Sequence, residues 1–407
     1  MSTISRPTVN PIRPSFEQMV VLQDPTRFKV LACGRRWGKT TLGIIHAVEM
    51  MTRGRLVWWV SPTYPMAGHV WDALKRATDP LGAERRKLEA EHLIEMPGRG
   101  GAIMGRSAAR PDSLRGYGLD GLVIDDAAFV REEVWTAALR PALSDRKGSA
   151  LLLSTPCGRN WFWEAYLRGR DRSALGWRSW RFPTAANPRI DSEEIEEARR
   201  LLPERVFRQE YLAEFLEDGG EVFRRVRVAA TASADSPPAP GHRYVMGVDW
   251  GRRDDFTALA VIDATTRQMV ALDRFTSVEW ATQRGRLAAL ARRWGVEDIL
   301  AEANAMGEPN IEALRREGLP IQGFTTTAVS KPPLIESLAL AIETEELALL
   351  PDETLLGELE AYTYQTLPSG RPRYGAPPGL HDDTVIALAL AWKLAAAPRL
   401  TLAIVEV

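Results

Sequence analysis

The stretch FKVLACGRRWGKTTLGIIHAVEMM, residues 28–51, does most to limit what this chain can become. A short, mostly apolar run ends at a glycine loop, and apolar residues at helical spacing follow it. Such a run reads as a strand buried on both faces, which belongs to a parallel sheet covered by helices. The loop between them holds Gly38-Lys39-Thr40, the end of the phosphate-loop pattern G-x-x-x-x-G-K-[ST]. In that pattern backbone N–H groups converge on phosphates at a helix N-terminus. The pattern's first glycine falls on Cys33, and Gly34 stands one position late. Because that glycine chiefly relieves a turn, Gly34 is expected to relieve it instead. Gly38 lets the backbone approach closely, Lys39 brings a point charge to the β- and γ-phosphates, and Thr40 offers its hydroxyl to Mg²⁺. Arg36, Trp37 and Thr41 complete the stretch expected at the nucleotide. The competing reading is a chance G-K-T at a helix start.

Strand–helix alternation continues through the front of the chain. RLVWWVSP and MAGHVWDALKRAT read as a strand and a helix, HLIEMPGRGGAIMGRS as a hairpin, and GLVIDDA and ALLLSTP as buried strands. The pattern predicts a mostly parallel sheet. LVIDD ends an apolar strand in two acids. At a phosphate-loop site Asp125 would hold Mg²⁺ through water and Asp126 would polarise the attacking water; two acids capping a strand end is the plainer alternative. From about 186 to 230 the sequence turns helical and charged, SEEIEEARRLLPERVFRQEYLAEFL, and TASADSPPAPG at 231–241 reads as a linker. Behind it YVMGVDW, FTALAVID and QMVALDRF predict an antiparallel meander. Alternating helices and strands follow, and the apolar helix DDTVIALALAWKLAA closes the pattern. Three strands followed by strand–helix alternation is the order of a ribonuclease H-like fold.

A chain of 407 residues exceeds one ordinary core, so more than one domain is expected. Formal net charge is -1, so any nucleic-acid contact must come from a local basic face. RRVRV and RGRLAALARRWG are candidates, and solvated faces account for most of their arginines. Cys33 and Cys157 have no metal-ligand spacing and imply no disulfide framework, which points to a reducing cytoplasm. No run is long and apolar enough to span a membrane, and the first residues lack a signal-peptide core.

Taken together, these stretches resemble the large terminase subunit of tailed phages, the ATPase–nuclease that packages DNA into procapsids. FKVLACGRRWGKT is similar to the family's phosphate loop (Walker A), shifted glycine included, and PDSLRGYGLDGLVIDDAAF to its acidic-strand segment (Walker B). LLLSTPCGRNWF resembles its coupling motif and VFRQEYLAEF its linker helix. GVDWGRRDDFTALAV and HDDTVIALALA resemble the two ends of its nuclease site. The resemblance covers nearly the whole chain. It implies an α/β architecture of three parts: a P-loop (ASCE-type) ATPase domain at 1–185, a small helical linker subdomain at 186–240, and a ribonuclease H-like nuclease domain at 241–407.

Arg35, Gly38, Lys39 and Thr40 would then contact the triphosphate. Gln18, in SFEQMVVLQ, falls where the family reads adenine, and an exposed helix glutamine is the competing reading. Arg115, in SLRG, stands as an arginine finger acting on a neighbouring subunit or as a structural arginine bonding loop carbonyls. Ser154 and Thr155 would couple γ-phosphate loss to movement, or simply end a core strand. One departure stands out: the family usually has glutamate where this chain has Asp126. Aspartate sets its carboxylate back by roughly 1.5 Å, and a displacement of that order can cost about 10²-fold in rate.

The back part carries acids where a two-metal nuclease needs them. Asp249 ends the first strand, Glu302 a later strand expected beside it, and Asp382 and Asp383 open the final helix. Asp255 reads as an accessory acid and Asp254 as a turn residue. Acids so far apart converge only if those elements pack side by side. Two Mg²⁺ or Mn²⁺ ions about 3.5–4 Å apart could then activate water and stabilise a leaving phosphodiester oxygen. Asp382 and Asp383 also suit an ordinary helix N-terminus. His381 is a metal neighbour or a helix-flanking histidine, and Lys331 a DNA contact or a solvated lysine.

The function this implies is a packaging motor subunit. It hydrolyses ATP to move double-stranded DNA into a procapsid and cleaves concatemers. Its implied partners are DNA, the portal protein and a small terminase subunit, in the host cytoplasm. A homo-oligomeric ring forms on the portal, and a monomer in solution stays open. Two alternatives stand beside this reading. A helicase–nuclease of repair or recombination needs strand-separating motifs and a second ATPase core, which the sequence lacks. A catalytically impaired prophage remnant is suggested by Asp126 and the shifted glycine, and opposed by the intact Lys39, Thr40 and nuclease acids.

Overall fold

All six residues of β1 (Phe28–Cys33) are buried, Lys29 included. The sheet around β1 explains why. A computed structural model describes residues 13–398 apart from 218–219, 234–236, 252–255, 277, 305–306 and 368–371. It divides into two units, chiefly the residues up to 217 and those from 218 onward.

In the first unit β1 is joined by β2 (Leu56–Ser61), β3 (Arg86–Leu88), β4 (Leu93–Met96), β5 (Gly101–Ser107), β6 (Gly121–Asp125), β7 (Ser149–Ser154) and β8 (Trp177–Phe182). They form one sheet in the order β3-β4-β5-β2-β6-β7-β1-β8. Pairing is parallel from β5 through to β8, and antiparallel only across β3, β4 and β5. The expected mostly parallel sheet and its hairpin are therefore present. One strand, β7, lies between the phosphate-loop strand β1 and the acid strand β6, the ASCE arrangement. Alternate residues serve two cores. Leu31, Cys33, Val57 and Trp59 pack with Leu42, Ala47 and Trp71 of helices Lys39–Thr52 and Tyr64–Thr78. Val30, Ala32, Trp58 and Ile124 pack with Leu139, Trp161 and Phe162 on the other face. Edge strand β8 reads WRSWRF; its mixed aromatic and charged residues suit a half-exposed edge and give little strand signal.

The charged stretch forms helices Ser192–Leu201 and Glu204–Glu210. The helical reading is corrected over 211–217, and among the described residues helix resumes only at the short Val226–Ala229. Just past Glu210 the Tyr211 carbonyl accepts the Thr184 N–H at 2.7 Å, and Ala213 turns to a φ of 54°.

In the second unit β9 (Tyr244–Asp249), β10 (Phe256–Asp263), β11 (Gln268–Thr276), β12 (Asp298–Glu302) and β13 (Ile321–Phe324) run in the order β11-β10-β9-β12-β13. The first three are antiparallel, and β12 and β13 join parallel to β9, as the ribonuclease H-like reading requires. A further hairpin, β14 (Thr363–Thr366) with β15 (Pro372–Gly375), is absent from the sequence reading. Tyr244, Met246, Val248 and Ala301 pack on the side of helix Trp280–Trp294. Val245 and Leu300 face the helices Lys331–Glu343, Glu353–Ala361 and Asp383–Ala395. Gly247 lets the last helix lie directly on β9: a Cβ there would stand 1.9 Å from the Ala387 carbonyl oxygen. Helix Asp383–Ala395 is apolar nearly all round because the sheet and two helices enclose it. Of the linker stretch, Ala232 is buried and donates its N–H to the Leu349 carbonyl within this unit.

Candidate nucleotide and metal sites

The loop after β1 turns through two left-handed residues, Arg36 at φ 61° and Gly38 at φ 101°. Gly34 does not supply the turn, which corrects the sequence expectation. It is needed for close approach: a Cβ on Gly34 would lie 2.5 Å from the Tyr211 carbonyl oxygen and 2.6 Å from the Thr184 nitrogen. Gly34 N–H donates to the Phe182 carbonyl, Arg35 N–H to the Glu210 carbonyl, and Thr184 Oγ1 to the Arg35 carbonyl. Asn187 Nδ2 donates to the Arg36 carbonyl, the Arg35 guanidinium pairs with Glu210, and Trp37 stacks on Phe182. The loop is therefore held from outside by 182–187 and 210–211. Sequence reasoning missed Thr184, Asn187 and Glu210, because their partners lie far away in the chain and, for Thr184 and Asn187, are backbone atoms.

Helix Lys39–Thr52 starts at this loop, and no side chain caps it. Its positive end remains suited to an anion. Thr40 Oγ1 donates to Asp125 Oδ2 at 2.8 Å, so the strand-end acid meets the loop hydroxyl across the intervening β7. Lys39 Nζ stands 3.2 Å from Asp126 Oδ1. Burial and the neighbouring Asp126 push the Asp125 carboxyl up to about 6, against the pull of Lys39 and Thr40. Burial works against the Lys39 ammonium, but Asp126 and Asp125 outweigh it and raise its pKa. Asp126 itself sits in the left-handed region, at φ 52°. Ser154 is buried at the end of β7, its Oγ accepting the Ala128 N–H at 3.1 Å, and ties that strand to the loop after Asp126. Thr155, Arg35, Arg36, Lys39 and Asp126 line a cavity of about 780 Å³, a size typical of a small-molecule site. Hard oxygen donors beside a lone ammonium and an uncapped helix end fit a nucleotide with Mg²⁺.

The second site follows from the pleat. Asp249 shares its face of β9 with Val245 and Gly247, and Glu302 shares its face of β12 with Leu300. Both acids therefore face the helix that begins at Asp383, and Gly247 brings that helix in. Asp249 and Asp383 are buried. Burial first, then Glu302, Asp383 and Asp382, hold the Asp249 carboxyl well above its ordinary range. Lys331 Nζ stands 3.5 Å from Asp382 Oδ2, and Arg274 Nη2 stands 3.7 Å from Asp383 Oδ2. As they stand, no three His, Cys, Asp or Glu side chains among the described residues enclose an ion. Lys331 and Arg274 offset part of the negative charge at the two helix-end acids. The donor set is all carboxylate oxygen, partly buried and rich in negative charge, which fits Mg²⁺ or Mn²⁺.

Comparison with known proteins identifies the family. The large terminase subunit of Thermus virus P23-45 is 30% identical over 429 residues, spanning 93% of this chain and 87% of the relative. That of Escherichia phage T5 is 33% identical over 351 residues, spanning 81% of this chain and 77% of the relative. The chain belongs to the phage large terminase subunits. A solved large terminase from a thermophilic bacteriophage matches over 93% of this chain and 98% of its own, with a TM-score of 0.61 at 15% identity, a likeness of fold. No protein-family model matches.

Within this terminase subunit the remaining residues fall as follows. Gln18 is buried, not an exposed helix residue. Its Oε1 accepts the Ser15 N–H at 3.0 Å, and its Nε2 donates to the Gly38 carbonyl at 3.2 Å. Arg115 is exposed just after Leu114, with no hydrogen bond or ion pair among the described residues. Thr41 lies in the first turn of helix Lys39–Thr52. Asp254 and Asp255 lie outside the described residues. His381 Nδ1 stands 3.7 Å from Asp383 Oδ2, and its ring meets Phe256 edge-on. Sequence reasoning also missed Glu358, Arg274 and Asn304. Asn304 Nδ2 donates to Glu302 Oε1 at 3.1 Å and to the Thr326 carbonyl at 3.0 Å. Glu358 left a readable signal: it shares a helix face with Leu355 and Leu359, where an acid is out of place.

Proposed function

We propose that this chain is the DNA-packaging motor subunit that its family membership suggests, an ATPase and a metal-dependent endodeoxyribonuclease in one polypeptide. The reading rests above all on the meeting of Thr40 and Asp125 at 2.8 Å, with Lys39 and Asp126 beside them. Lys39 takes the β- and γ-phosphates and leaves Asp126, whose carboxylate then orients the attacking water. Thr40 and Asp125 would hold Mg²⁺, which when bound would neutralise charge developing on the phosphates. Arg35, Arg36 and the backbone of 34–41 bind the phosphates. Gln18 reads adenine by exchanging its present bonds, and Ser154 and Thr155 relay γ-phosphate loss. The exposed Arg115 suits a finger offered to a neighbouring subunit of a ring.

In the second unit Asp249, Glu302, Asp383 and Asp382 would hold two Mg²⁺ or Mn²⁺ ions, with Asp255 as an accessory acid. The metals supply an activated water and charge stabilisation for phosphodiester hydrolysis. Lys331 approaches the DNA backbone. The proposed domains are the ATPase at 1–185, the helical linker at 186–240 and the nuclease at 241–407. The proposed partners are double-stranded DNA, the portal protein and the small terminase subunit, in the host cytoplasm. Among the described residues no helix is long and apolar enough to cross a membrane.

Asp249→Ala tests the nuclease. Mn²⁺-dependent plasmid cleavage should disappear while ATP turnover survives, and persistent cutting would overturn the assignment. Procapsid-dependent protection of DNA separates a packaging motor from a helicase, which displaces strands without procapsids. A remnant would show neither ATP turnover nor metal-dependent cleavage.

A further inference from the structure

Helix Asp383–Ala395 brings Asp383 to the carboxylate cluster, yet its own N-cap, Asp382, makes no side-chain capping bond. The bond comes from another helix. Glu358, buried in helix Glu353–Ala361, accepts the Thr384 N–H at 2.9 Å and the Thr384 hydroxyl at 2.5 Å, both through Oε2. Its other oxygen, Oε1, stands 3.0 Å from Arg274 Nη2. Arg274 rises from β11 and lies over the Phe256 ring at 3.4 Å. The same Nη2 is 3.7 Å from Asp383 Oδ2. One guanidinium thus stands between two carboxylates, closer to Glu358.

We infer that Glu358 and Arg274 are positioning residues for the metal centre: Glu358 anchors the helix start that carries Asp383 and holds the Arg274 cation off the Asp383 carboxylate. This rests on the nuclease reading given above. A buried carboxylate needs hydrogen bonds and a counter-charge, and Glu358 has both. Without its charge the guanidinium's nearest acid becomes Asp383, and a cation held there competes with a metal ion. Groups that orient metal ligands typically change metal affinity about 10- to 100-fold when altered.

The test is Mn²⁺ binding to the full chain without nucleotide, measured by calorimetry, with Asp249→Ala as the blank. Glu358→Gln keeps an acceptor for Thr384 and removes the charge. It should weaken Mn²⁺ binding about 10-fold. Adding Arg274→Met in that background should recover most of the loss, because the competing cation is gone. A merely structural role predicts the opposite, a double variant worse than the single. Thr384→Val, which removes only the hydroxyl anchor, should weaken binding more mildly. Unchanged affinity in Glu358→Gln, or a double variant weaker than the single, overturns the inference. Wild-type protein that binds no more Mn²⁺ than Asp249→Ala would sink the nuclease reading itself.

Discussion

The two candidate sites solve the problem of gathered charge in opposite ways. At the phosphate loop the cation is built in: Lys39 faces Asp126, and Thr40 donates to Asp125. At the second site the acids outnumber their partners, and burial first, then Glu302, Asp383 and Asp382, raise the Asp249 carboxyl well above its ordinary range. The first site is internally compensated and must exchange a lysine's partner to bind phosphate. The second is only partly compensated, by Lys331 and Arg274, and would gain stability by taking up cations. Charge arrangement, not fold, therefore decides which site depends on a ligand for its integrity.

The comparison breaks most visibly at Lys39. Lys39→Ala should lower ATP turnover by at least about 10²-fold, the scale of losing one charge-stabilising group, and leave Mn²⁺-dependent cleavage in place. Paired ATPase and plasmid-cleavage assays check this. Equal loss of both activities would mean that the sites are not separate.

A smaller effect sharpens the contrast at Asp249. Its folded pKa is raised above the ordinary 3.8, so across the window from 3.8 upward the folded chain binds more protons than the unfolded one. Stability is thus lost as pH rises through that window. Above it, in EDTA, Asp249→Asn should raise Tm by a few degrees, since about 1 kcal/mol moves a domain of this size by roughly 2–4 °C. The same variant should lose the stabilisation that Mn²⁺ gives the parent. A lower Tm in EDTA would show that the acids do not repel one another.

The mildest change is expected from Asp126→Glu. Restoring the longer acid should keep or raise ATP turnover, read by phosphate release. A large fall would remove Asp126 from the water-polarising role.

Much of this is legible in the sequence, for physical reasons that differ between the sites. Gly38, Lys39 and Thr40 are contiguous, so their strand–loop–helix context shows directly. Asp249, Glu302 and Asp383 are reachable because period-2 alternation and the order of elements place them on one face. What the sequence hides are tertiary bonds. Gly34 reads as a turn residue because its crowding comes from Tyr211 and Thr184, and the left-handed turn falls on Arg36. The helical pattern runs past Glu210 because periodicity cannot register the Thr184 N–H that claims the Tyr211 carbonyl. Edge strands β3 and β8 lack the apolar runs that mark the central strands.

With nothing but hydrogen between β9 and the terminal helix at Gly247, strand acid and helix acids ride on one rigid block. Any side chain at this position would force the helix off the strand, so the spacing of strand acid and helix acids rests on one missing Cβ. If this unit is the nuclease proposed above, restraint of cleavage would fall on how the duplex is admitted and how the metal is taken up, not on shearing the block.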